Sequence, residues 1–241
     1  MGWTRLRSTR RTGGGVWRTL GRALWRIAVV LVAIPLVLIP VYRFVPPIST
    51  LMIFDWVTSG GAVDRRWVPL ADIDPMLAAA VIMSEDGKFC SHNGVDWAEL
   101  GKVLDRSSGP NRGASTVAMQ SVKNLFLWPS RSYLRKAVEM PLALYADLVW
   151  GKAREMEIYL NVVEWGPNLF GAEAAAQRYF KVSARNLSLN QAALMVAALP
   201  NPSVRNPGKP SAGLRSLART IAARARASGA YIDCLYPQGS L

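Results

Sequence analysis

Histidine is nearly absent from this chain: His92 is the only one in 241 residues. A zinc site built on imidazoles is thereby excluded, and the two cysteines, Cys90 and Cys234, show no metal-ligand spacing. The sequence leaves the pairing of those cysteines open, because it cannot place their Cα atoms together, and two free thiols are the expectation. Acidic residues are missing from the first 26 positions, which carry Arg5, Arg7, Arg10, Arg11, Arg18, Arg22 and Arg26. Long β-branched runs and internal repeats are also missing beyond Asp74, which argues against a sheet-based domain or a solenoid.

Lysine and arginine total 29 against 16 acids, a formal net charge of +13. Such an excess points to an anionic partner: nucleic acid, anionic lipid or a phosphorylated substrate. Seven of the arginines precede the uncharged apolar run Ile27 to Tyr42 and belong to a topology signal, so a nucleic-acid binder is not favoured. As a helix this run rises about 24 Å, and neighbours such as Phe44 and Val45 extend it toward a hydrocarbon core of about 30 Å if Arg26 and Arg43 snorkel. Pro35 and Pro40 are tolerable in a membrane span. No small-residue cleavage site follows, so an uncleaved anchor is expected rather than a signal peptide. The positive-inside rule then keeps the N-terminus in the cytoplasm and puts the rest outside.

Four segments follow from this: a basic cytoplasmic stretch (1–26), a transmembrane helix (27–45), a membrane-proximal connector (46–70) and a main domain with a basic C-terminal tail (71–241). Asp74-Pro75 has the form of an N-cap with proline at the first helical position, and Ser188 to Gln191 resembles a capping box. The pattern between is helical, and the expected fold is all-α: one extracytoplasmic helical domain on a tether.

The chemistry concentrates in five segments. Glu85 and Asp86 follow the apolar run Leu77 to Met83, and a carboxylate pair at such a helix end is crowded and poorly solvated, which suits proton transfer. Phe89, His92 and Gly94 come next. In the second segment Ser115 and Thr116 can cap a helix whose free N–H groups form an anion site, with Gln120, Lys123 and Asn124 sharing one face. The third places Arg135 and Lys136 at helical spacing from Glu139. The fourth runs from Lys152 through Tyr159 to Asn161, and the last is Arg178-Tyr179-Phe180. Each alone also has an ordinary structural explanation: a solvated helix face, a surface ion pair or core aromatics.

Taken in order, these segments are specific. Glu-Asp-x-x-Phe-x-x-His-x-Gly at 85–94, Gly-x-Ser-Thr-x-x-x-Gln-x-x-Lys-Asn at 113–124, Arg-Lys-x-x-Glu at 135–139, Lys152 through Asn161, and Arg178-Tyr179-Phe180 resemble glycosyltransferase family 51, the peptidoglycan glycosyltransferases, across about residues 70 to 205. The resemblance implies a lysozyme-like helical glycosyltransferase domain that polymerises lipid II into β-1,4-linked glycan with inversion and release of undecaprenyl pyrophosphate. It makes Glu85 the general base. Glu139 becomes the carboxylate that handles the leaving pyrophosphate, directly or through a divalent metal, Mg or Mn. Asp86, Phe89, His92, Arg112, Gly113, Ser115, Thr116, Gln120, Lys123, Asn124, Arg135, Lys136, Tyr159, Asn161 and Arg178 are the matching substrate-site residues, with Asp86 and His92 expected to shape the loop or tune Glu85.

The implied partners are lipid II, the growing glycan strand, membrane lipid and other cell-wall synthesis or division proteins. The implied location is the bacterial inner membrane, with the catalytic domain in the periplasm. The sequence contains no Ser-x-x-Lys or Lys-Thr-Gly transpeptidase signature. Departures from the family pattern are Met119, Glu155 in place of an aliphatic residue, Gln191, and Pro141, which should disturb the helix presenting Glu139. The competing readings are a lysozyme-like hydrolase using Glu85 as general acid, and a catalytically silent membrane-tethered scaffold.

Overall fold

The structure, a computed structural model, describes residues 14–59, 63–104, 115–128 and 132–237. Two compact units divide the chain, Met1–Leu38 and Ile39–Leu241. The first is carried by α1 (Gly14–Tyr42), whose final turn belongs to the second. The stretch Trp17–Tyr42 is the one helix among the described residues long and apolar enough to cross a membrane. It starts upstream of the expected span, since arginine and alanine are good helix formers, and Pro35 and Pro40 do not interrupt it.

The second unit is helical, as expected. After α2 (Thr50–Ser59) come α3 (Pro75–Glu85), α4 (Trp97–Leu104), α5 (Val117–Phe126), α6 (Tyr133–Val162), α7 (Ala172–Phe180), α8 (Leu189–Ala198) and α9 (Ala212–Arg226). The described part of the connector contains the helix α2. Ser49 caps α2 by accepting from Met52 N at 3.0 Å, and Thr50 Oγ1 donates to Leu127 O at 2.8 Å, fastening α2 to the end of α5. A small sheet was not anticipated. β1 (Asp64–Arg65) runs parallel to β3 (Leu169–Phe170), which pairs antiparallel with β2 (Glu164–Gly166). Strands of two and three residues are too short to show a period in sequence.

Two hydrophobic clusters organise this unit. One gathers α3, α7, α8 and α9 around Leu77, Ile82, Phe89, Tyr159, Trp165, Met195 and Ile221. The other joins α5 and α6 through Met119, Val122, Leu142, Trp150 and Phe170, with Ile39 and Met52. Each fully buried Leu, Ile, Val, Phe or Met contributes about 1.5–3 kcal/mol relative to exposure. The capping expectations hold: Asp74 accepts from Met76 N at 2.8 Å, and Ser188 and Gln191 form the reciprocal capping box.

Pro141 does not have the expected effect. Helix α6 continues through it, and the residue with non-helical dihedrals is Gly151 (φ 69°, ψ 163°). Proline removes one donor, and on the exposed side of a helix water can serve the released carbonyl. The thiol expectation is also corrected, since Cys90 and Cys234 form a disulfide, Cα to Cα 5.6 Å, across 144 residues of chain.

Candidate active site

Helix α3 is buried from Leu77 to Ile82, so its last turn leaves the core carrying the acids. The two then part. Glu85 is half-buried and accepts from Ser84 Oγ and from Gln120 Nε2, each at 3.3 Å. Gln120 is oriented in turn by Tyr159, whose hydroxyl donates to Gln120 Oε1 at 3.3 Å. Complete burial, then the Glu85 and Asp86 charges, push the Tyr159 hydroxyl well above its usual range, so it stays a donor. Both contacts on Glu85 are long, which leaves its oxygens lone pairs for an incoming hydroxyl.

Asp86 turns inward, with 6% exposure. It accepts from Val117 N at 2.9 Å and pairs with His92 Nε2 at 2.8 and 3.0 Å. Thr116 caps α5 by accepting from Met119 N at 3.2 Å, and its own hydroxyl donates to Gly94 O at 2.6 Å. The helix N-terminus expected to hold a ligand anion therefore spends these groups within the protein, on Asp86 and Thr116. Phe89 is fully buried, edge-on to His92 at 6.5 Å, with the Lys152 ammonium 4.6 Å from its ring centroid. Asp86, Phe89, His92 and Thr116 hold the loop behind Glu85.

The cationic side is built from the first turns of α6, capped by Ser132, which accepts from Arg135 N at 3.1 Å. Glu139, 2% exposed, is paired by Arg135 on Oε1 and by Lys136 on Oε2 at 3.3 Å. Lys136 Nζ also donates to Ser115 Oγ at 2.6 Å. Burial, then the neighbouring charges of Arg135 and Lys123, lower the Lys136 ammonium to about 8 despite the adjacent carboxylate. Arg135 and Lys136 thus pair one carboxylate, and Lys123 stands near enough to repel Lys136, an arrangement with capacity for further anionic charge. Arg112 and Gly113 lie outside the described residues.

The Transglycosylase family matches residues 54–226 of this chain. The chain belongs to that family. Similar sequences include a biosynthetic peptidoglycan transglycosylase of Brucella suis, 53% identical over 91% of this chain and 100% of the relative. One from Rhizobium meliloti is 52% identical over 97% and 98%, and one from Mesorhizobium japonicum 54% identical over 87% and 90%.

Not every expected site residue converges on Glu85. Asn161 is fully buried, its amide bonded to Val68 N and O at 3.0 and 2.9 Å and to Glu157 O at 2.8 Å. Arg178 is exposed and pairs with Asp64 at 3.6 Å. These two fasten the connector and β1. Asn124 is buried in α5, with 6% exposure. Sequence reasoning passed over Arg154, whose guanidinium donates to Tyr42 O at 2.8 and 3.1 Å and to Val45 O at 2.8 Å, closing the carbonyl end of α1.

It also missed the surroundings of Glu155. This fully buried side chain has no hydrogen-bond partner for either oxygen; Lys152 stands 3.9 Å from Oε2 and is bonded to Asp147. Burial, against the opposing pull of Lys152 and together with the Asp147 and Asp86 carboxylates, pushes the Glu155 carboxyl well above its usual range. A proton there removes the repulsion and lets Glu155 donate to Asp147. Glu155→Met, which restores an apolar side chain, should stabilise the fold by about 1–2 kcal/mol, read as a rise of about 2–8 °C in thermal midpoint. Because a raised carboxyl pKa loses its contribution as pH rises through the folded value, the gain should be larger at pH 8 than at pH 5. A lower midpoint at both pH values would show that the carboxyl is needed where it is.

Proposed function

We propose that Glu85 and the cations of α5 and α6 divide one reaction between them. The chain is a peptidoglycan glycosyltransferase, and its substrates are lipid II and the glycan strand. Glu85 takes the proton from the acceptor's 4-hydroxyl as that oxygen attacks the donor anomeric carbon, inverting it from α to β. The donor's bond to its pyrophosphate breaks, and undecaprenyl pyrophosphate leaves with the electron pair. A pyrophosphate needs cations that meet its growing charge rather than an acid to protonate it. Arg135, Lys136 and Lys123 fill that role, and Glu139 holds the first two in place.

The observation that carries this reading is the separation of roles in the geometry. One half-buried carboxylate faces an amide on α5, while the second carboxylate is enclosed by cations on α6. The Glu139 donor set does not fit a protein-held metal, since both oxygens are taken by cations and the described residues hold no cluster of three acidic, histidine or cysteine ligands. An open apolar groove lined by Ile48, Met52, Ile53, Trp56 and Val63 supports contact of this region with a lipid chain. The arginine-rich start supports a cytoplasmic N-terminus and a catalytic domain on the periplasmic side of the inner membrane. The disulfide supports that oxidising location.

Detergent-solubilised protein incubated with labelled lipid II, with and without Mg or Mn, tests the reading by gel. Lengthening strands are expected; shortening of added glycan would indicate a hydrolase, and lipid II binding without any polymer a scaffold.

Lys136 supplies a second test. With its ammonium lowered to about 8, kcat/KM for lipid II should fall as pH rises through that value. Its contribution to stability has the opposite sign. Between about 8 and the ordinary lysine value of 10.5 the unfolded chain binds more protons, so this term favours folding as pH increases. Lys136→Arg stays cationic and should move the alkaline limb upward by at least one pH unit. A limb unmoved in the variant would assign it to another group.

A further inference from the structure

We infer that the Cys90–Cys234 disulfide is a positioning element of glycosyl transfer, holding the loop behind Glu85 against the C-terminal segment, and that reduction of this bond slows the enzyme. The inference rests on Glu85 being the base.

The bridge joins two short elements that meet beside the end of α3. Cys90 sits in the 3-10 turn Phe89–Ser91, four residues beyond Asp86 and two before His92. Cys234 follows the 3-10 turn Gly229–Ile232, beyond the last residue of the family match, Arg226. Ile232 is fully buried in the same cluster as α3, with Leu235 and Tyr236 packed against it. This C-terminal segment brings Ile232, Leu235 and Tyr236 to the core and carries local backbone bonds, among them Leu235 N to Ile232 O at 2.9 Å and Tyr236 N to Ile232 O at 3.0 Å. The covalent bond adds a direct tie between this packed segment and the loop behind Glu85.

The loop transmits position to the site by a short path. Cys90 neighbours the buried Phe89, against which His92 packs, and His92 pairs with Asp86 beside Glu85. A shift of the 3-10 turn therefore moves the Asp86 anchor that joins α3 to α5. Both cysteines of the chain are used in the bond, so no spare thiol is present to exchange with it. That arrangement fits a device set by the surrounding redox state rather than a catalytic thiol.

The test uses full-length protein in detergent, oxidised and after treatment with dithiothreitol. Reduction transfers two electrons and two protons to the disulfide, giving two thiols as dithiothreitol closes into its cyclic disulfide. Thiol titration confirms each state, and hydrogen exchange of amides 86–94 and 190–198 is read without substrate, below the midpoint of unfolding. The expected result is faster exchange in 86–94 with α8 unchanged, and a fall in kcat of about 10- to 100-fold with KM within about twofold. Reoxidation should restore both; Cys234→Ser should match the reduced enzyme and not respond to the reagent.

Equal exchange of 86–94 in the two states overturns the inference, as does full kcat in the titrated, reduced enzyme. Exchange rising together in 86–94 and α8 also overturns it, because the bond then acts on the whole fold. Absence of polymer from the oxidised protein would fault the assignment of the reaction instead, while the exchange measurement still decides whether the bond holds the loop.

Discussion

Glu85→Gln should reduce polymerisation of lipid II by about 10²- to 10⁴-fold, the range associated with loss of a positioned general base. The amide keeps the shape of the carboxylate but cannot accept a proton. The fold should not change, because Glu85 is half-buried and its hydrogen bonds from Ser84 and Gln120 are both at 3.3 Å. One of these is exchanged for an amide contact at a cost of about 1 kcal/mol or less. Lipid II affinity should also persist, since Arg135, Lys136 and Lys123 stand on other elements. The loss belongs in kcat, the signature of an interaction made only in the transition state. Single-turnover kinetics with labelled lipid II, alongside circular dichroism and a binding titration, separate these quantities. A rate within tenfold of the parent would remove Glu85 as base, and an unfolded variant would mean that the Gln120–Glu85 contact is structural.

Which of these features can be read before the structure depends on how far apart their causes lie. The helix carrying Glu85 is legible because an apolar run with an Asp-Pro start states its own burial and cap. The Arg135, Lys136 and Glu139 group is legible because helical spacing alone brings these side chains together. Asn161 is different: its burial depends on Val68, 93 residues away, and its spacing relative to Tyr159 says nothing of that. The cysteine pair fails for the same reason, across 144 residues. Pro141 misleads in another way, since proline propensity is a local prior that an exposed helix face and long flanking turns override. The anion site expected at α5 is real in its physics but is occupied by Asp86, an intramolecular carboxylate brought there by the fold of α3.

Gly94→Ala should destabilise the domain by about 3 kcal/mol or more and take catalysis with it. Two costs combine. The residue sits at φ +81°, where a β-carbon costs about 1–2 kcal/mol. That carbon would also lie 2.5 Å from Ala143 O, 2.8 Å from Ala143 C and 3.0 Å from Leu144 N, all backbone of α6 and unable to rotate aside. Relief requires the loop to lift from α6, which breaks the 2.6 Å bond from Thr116 to Gly94 O and disturbs the cap of α5 beside Asp86. A drop of about 6–12 °C in thermal midpoint is expected. Gly87→Ala is the internal control: it lies in the same loop, yet its added carbon meets nothing within 4 Å, so its midpoint should stay within about 2 °C. This contrast explains why glycine closes the Glu-Asp-x-x-Phe-x-x-His-x-Gly pattern at 94 while position 87 is one of its unspecified places. Equal midpoints for the two variants would show that the loop re-routes freely, and its contact with α6 would then not be what orients Glu85.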